Sequence, residues 1–139
     1  MGEVRVKVEL SNAVDEGLVR RGLLRPDQVR KYSADALVDT GAIASVLPIH
    51  VVQQLGLATI GKARAEYANG FEVDLTEPVS IAINGRRATE ETLVLGSEVL
   101  IGQTILERMD LLVDCVNKRI VPNPAHPDQP VLKVKLLVR

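Results

Sequence analysis

Aspartate followed by threonine and glycine occurs once in the chain, at Asp39-Thr40-Gly41, with Ala42 next and the apolar run Ala36-Leu37-Val38 just before it. A carboxylate at the end of a buried strand, carried on a tight glycine turn, can take a proton from water or give one to a carbonyl oxygen. Those are the two halves of general acid–base hydrolysis. A second carboxyl group beside the first would allow both at once. Two like charges that close cannot both ionise, so the pair shares one proton and titrates as a unit. None of Asp15, Asp27, Asp35, Asp74, Asp110, Asp114 and Asp128 is followed by Thr or Ser and then Gly, so the motif occurs once per chain. The plainer alternative for Asp39 is a turn aspartate whose side chain accepts from its own backbone two residues on. Other reactive types form no constellation. His50 and His126 are far apart and lack ligand spacing, so no metal is expected. Asp114-Cys115 has no adjacent base or cation to activate a thiol. Arg20-Arg21, Lys133 and Lys135 read as solvated faces.

The elements that must position Asp39 are legible from periodicity. Val4, Val6, Val8 and Leu10 alternate with charged residues, the period of a half-buried strand. Ser11-Asn12 caps a helix over Ala13 to Arg21, with Gly22 as its stop. Val29 to Val38 reads as the strand feeding the Asp39 turn, and Ile49 to Leu55 as a short helix ended by Gly56. One hairpin is predicted over Gly61–Tyr67 and Phe71–Leu75 about Asn69-Gly70. A second is predicted over Pro78–Ile83 and Arg87–Leu95 about Asn84-Gly85. Val99-Leu100-Ile101-Gly102 reads as a buried strand, Gln103–Met109 as a helix, and Leu111–Val113 with Arg119–Val121 as a last hairpin. Pro122 to Pro130, with four prolines in nine residues, is an extended connector. Leu132, Val134, Leu136 and Val138 form a closing strand.

Composition narrows the function classes. A chain of 139 residues with no internal linker is expected to form a single domain over 1–139. Its apolar content is aliphatic, with two Tyr, one Phe and no Trp, which suits a mainly β protein. A net charge of −1 and few aromatic rings argue against nucleic-acid binding. The single cysteine forms no intrachain disulfide. Without a basic-then-apolar leader or a spanning apolar run, no membrane association is expected, and the cytoplasm is the expected compartment.

The order of these elements, with Asp39-Thr40-Gly41-Ala42 and the later Val99-Leu100-Ile101-Gly102, resembles the retropepsin-like (retroviral-type) aspartic proteases over roughly Ala34 to Val121. The resemblance implies a closed β-barrel acid-protease half with short helices, active as a twofold homodimer that brings two Asp39 carboxylates together. Asp39 would be the shared acid and base, and Thr40 would bond across the axis to the partner loop. Gly41 would let its N–H approach the carboxylate. Ala42 offers no hydroxyl to the ionised pair, so activity at mildly acidic to neutral pH is expected. Retroviral enzymes commonly carry an acid after Asp-Thr-Gly-Ala and an arginine after the apolar-apolar-Gly strand, and the two pair. Here those positions hold Ile43 and Gln103, so both partners are absent together and no buried charge is stranded. Ile43 makes the substrate rim more apolar. Tyr67, Asn69 and Gly70 would form the flap tip over substrate, Gly70 foremost.

The resemblance implies an aspartic endopeptidase acting on peptide or protein substrates, with no cofactor and no metal. The alternative on the same fold is a catalytically silent dimeric module that binds or scaffolds an extended peptide by strand addition. The alternating ends, Val4–Leu10 and Leu132–Val138, are expected to supply edge strands to the dimer interface.

Overall fold

Alternation at the N-terminus yields β1 (Arg5–Asn12), which runs into α1 (Ala13–Arg20); Asn12 caps that helix by accepting from the Asp15 N–H. The computed structural model describes residues 2–65 and 70–134. The chain continues through β2 (Lys31–Val38), β3 (Val46–Leu47), α2 (Ile49–Leu55), β4 (Thr59–Arg64) and β5 (Glu72–Thr76). Then follow β6 (Val79–Ile83), β7 (Arg86–Glu90), β8 (Leu93–Val94) and β9 (Leu100–Ile101). The last elements are α3 (Gln103–Met109), β10 (Leu111–Asp114) and β11 (Arg119–Pro122).

Nine strands form one mainly antiparallel sheet in the order β4-β5-β8-β3-β9-β2-β1-β6-β7, which curls into a half-barrel. Two pairings are parallel: β2 with β9, and β3 with β8. Because β9 also pairs β3, the ends of β2, β3 and β9 converge, and the segment after Asp39 must turn there. The inward faces pack as the branched composition predicts. Val8, Leu10, Val79, Ile81 and Ile83 meet Leu47, Leu55, Ile101, Ile105 and Met109, all essentially buried. Each such side chain stabilises the fold by about 1.5–3 kcal/mol through removal from water. The α1 edge is fastened by Arg30, whose guanidinium makes two bonds to the buried Asp15 carboxylate at 2.8 and 2.9 Å.

Several expected elements differ in extent. The strand predicted over Arg87–Leu95 is two strands. At Glu91-Thr92 the chain leaves β6 and crosses to β5, where buried Thr92 and Thr76 share a hydroxyl contact of 2.8 Å. A hydroxyl pair that satisfies itself lets a polar segment cross the interior. In its second half the N-terminal strand is no free edge. Residues Arg5–Ser11 of β1 pair with β2 and Glu9–Asn12 with β6, so the chain's own strands flank its second half. Alternation reports one buried face but says nothing about the two edges. At the other end, residues 131–134 carry no strand, and the rest of the closing strand predicted over Leu132–Val138 lies outside the described residues. The proline-rich stretch makes turns and bends after β11. No helix among the described residues is long and apolar enough to cross a membrane.

Candidate active site

β2 ends at Val38, paired with Ile101, and the Asp39 N–H donates to the Ile101 carbonyl at 3.0 Å. That bond extends the parallel ladder by one residue and fixes where the carboxylate leaves the sheet. The chain then turns: the Ala42 N–H donates to the Asp39 carbonyl at 3.2 Å, and the Gly41 N–H to the Asp39 Oδ1 at 2.9 Å. The Gly41 donation satisfies both readings of the motif at once. It is the Asx-type turn bond, and it is a backbone donor aimed at a carboxylate that remains exposed. A Cβ at residue 41 would lie 3.1 Å from that oxygen, so a side chain there would crowd the contact.

The far side of the loop is clamped onto the start of α3. Gln103 and Thr104 donate their N–H groups to the carbonyls of Ala42 and Ile43 at 2.7 and 3.2 Å. The first turn of a helix has N–H groups without helical partners, and here the Asp39 loop supplies the acceptors. Gly102 makes this approach possible. A Cβ on it would sit 2.7 Å from the Ala44 carbonyl carbon and oxygen and from the Ile43 oxygen, all of them backbone. The apolar-apolar-Gly signal in the sequence therefore has a steric cause.

Asp39, Thr40 and Gly41 are exposed, Ala42 is half-buried, and Ile43 is 78% exposed beside them. The Gln103 side chain turns away and bonds to Glu107 at 3.2 Å. Gly70 adopts a left-handed φ of 54° between β4 and β5, as a hairpin glycine does; Tyr67 and Asn69 lie outside the described residues. The same face presents no second carboxylate bonded to Asp39 among the described residues: the Gly41 N–H is its side-chain partner.

Two residues of this site were not apparent in the sequence. Ser45 is fully buried; its hydroxyl accepts from the Gly102 N–H at 3.1 Å, and its own N–H donates to Glu90 Oε2 at 3.1 Å. Burial pushes the Glu90 carboxyl above its ordinary value, while its bonds from Ser45 and the charge of Arg108 pull the other way. Glu90 reads in the sequence as one charge on an alternating strand, and only the fold shows what it faces.

No protein-family model and no curated protein matches the sequence. Among solved structures the chain is similar to the retroviral protease-like domain of Ddi1 from Leishmania major, with a TM-score of 0.56 at 12% identity over 89% of this chain and 90% of that one. It is also similar to EIAV protease complexed with the inhibitor HBY-793, with a TM-score of 0.52 at 20% identity over 76% of this chain and 86% of that one. Identities this low speak to backbone architecture, and they agree with the loop geometry: the chain has the fold of the retropepsin-like aspartic proteases.

Proposed function

We propose that the chain is an aspartic endopeptidase that works as a homodimer, with Asp39 from each copy forming the acid–base pair. The observation that carries this reading is the exposed Asp39 carboxylate, presented by β2 on a retropepsin-like fold and held by the Gly41 N–H. A second copy related by a twofold axis would supply the missing carboxylate through an isologous contact. One Asp39, ionised, would take a proton from water as the water attacks the scissile carbonyl. The other, protonated, would donate to the carbonyl oxygen. Thr40 would cross-brace the two loops, and Ala42 and Ile43 would border the cleft. The flap, with Gly70 at its described end and Tyr67 and Asn69 beyond, would close over the peptide.

Peptide cleavage by the purified protein, with Asp39→Asn alongside, tests the proposal. Wild-type cleavage of a mixed peptide pool that the substitution abolishes is the expected result. Peptide binding without turnover by a confirmed wild-type dimer would replace this reading with the binding module.

A further inference from the structure

We infer that Glu90 is the positioning residue of the Asp39 loop, holding the loop's exit through Ser45. The inference rests on the functional reading above for its consequence in catalysis, though not for its geometry.

The loop has two ends. Its entry is fixed at Asp39 by the Ile101 carbonyl, which belongs to the sheet. Its exit is fixed at Ser45, and there the chain of bonds ends on a side chain. The Gly102 N–H donates to the Ser45 hydroxyl oxygen at 3.1 Å. The Ser45 N–H donates to the Glu90 carboxylate at 3.1 Å. Glu90 thus accepts the backbone donor of one fully buried residue, whose hydroxyl in turn orients the glycine against which Ile43 and Ala44 pack.

Glu90 also sits where the site meets the hairpin. It is the last residue of β7, and two residues later Thr92 enters its buried contact with Thr76 at the end of β5. Leu93 then pairs with Leu75 and donates its N–H to the Ser45 carbonyl at 3.1 Å. A segment of four residues, Glu90 to Leu93, therefore grips the exit of the Asp39 loop and the base of the β4–β5 hairpin together. Removing the acceptor would leave the Ser45 N–H buried without its partner, which favours a local rearrangement of the loop over a global one. Arg108, on α3, is the cation whose charge favours the ionised form of Glu90.

The test compares wild type, Glu90→Gln and Glu90→Leu by amide hydrogen exchange and by peptide turnover. In Glu90→Leu, protection at Ser45, Gly102 and Gln103 should fall at least about tenfold while the β1–β6 amides keep theirs. Glu90→Gln, which retains an acceptor oxygen, should restore most of it. With turnover measurable, kcat should fall about tenfold or more in Glu90→Leu with KM little changed, and the Gln variant should recover it. Unchanged protection at the loop in Glu90→Leu, or a loss spread evenly over the sheet, would overturn the inference. Loss of loop protection in a protein whose wild type never cleaves peptide would leave the positioning role standing and remove the protease instead.

Discussion

Asp39 and Asp110 are both aspartates at the end of a regular element, and their surroundings are opposite. Asp110 ends α3 in a left-handed conformation, φ 56°, and its carboxylate is saturated by its own chain. Asn123 donates at 3.0 Å and the Val131 N–H at 3.1 Å, while the His126 ring nitrogen lies 2.6 Å away. Those contacts, Asn123 foremost, hold its carboxyl below the ordinary range. Arg86 reinforces the same corner from beneath, bonding to the carbonyls of Met109, Asp110 and His126. Asp39 has one backbone donor and open space around it. A carboxylate surrounded by donors is fixed in charge and ties segments together. One left exposed at a strand end is open to water or to a partner. The difference separates a fastening from a candidate catalyst more sharply than either sequence context does.

The contrast is most directly broken by exchanging the acids. Asp39→Asn should reduce peptide turnover by about 10³-fold or more while leaving the thermal midpoint almost unmoved. Asp110→Asn should do the reverse, lowering the midpoint and sparing most turnover. Matching losses of activity in the two variants would dissolve the distinction.

Steric anchoring of the loop gives the next effect. Gly102→Ala forces a methyl group against the backbone of Ile43 and Ala44, and should cost about 1–3 kcal/mol in urea denaturation, with a parallel loss of turnover. Gly61→Ala, where nothing lies within 4 Å of the added carbon, is its control and should be nearly neutral in denaturation.

Removing the Asp15 acceptor is a purely structural comparison. Asp15→Ala strips three bonds from Arg30 and should lower stability by about 2 kcal/mol, a value discounted because the guanidinium is half exposed. Loop exchange rates should not respond.

The smallest effect is in pH. Asp110 is held below its ordinary value of 3.8, so the folded state binds fewer protons there than the unfolded chain. Its contribution is present above that value and is lost as pH falls through the lowered one. Glu90 is shifted upward from 4.5, so its sign is opposite: stability declines as pH rises from that value through the raised one. Denaturation midpoints measured across this range should have a shallower acid-side slope in Asp110→Asn, the rest coming from Asp15 and Asp114, which are lowered in the same way. In Glu90→Gln the decline on the other side should flatten. A wild-type midpoint that is level throughout would contradict both assignments.

The legible part of this protein is the part governed by local rules. The αL stop at Gly56, the cap at Asn12, the bounds of α2 and α3 and the turn at Asn84-Gly85 follow from propensities within a few residues, and all stand where the sequence puts them. The Asp39 turn belongs with them, because Gly41 and the preceding apolar run dictate it locally. The division of β7 from β8 and the enclosure of β1 depend on which strands lie alongside, and alternation carries no record of an edge. Glu90 was illegible for the same reason. Its partner Ser45 is distant in sequence and adjacent only after β3, β8 and β9 converge. Sequence by itself determined where an exposed carboxylate is presented, since a strand end and a glycine turn are short-range features. Tertiary structure alone decided what holds it still, since hydrogen bonds between buried polar groups form wherever the packed strands bring donor and acceptor together.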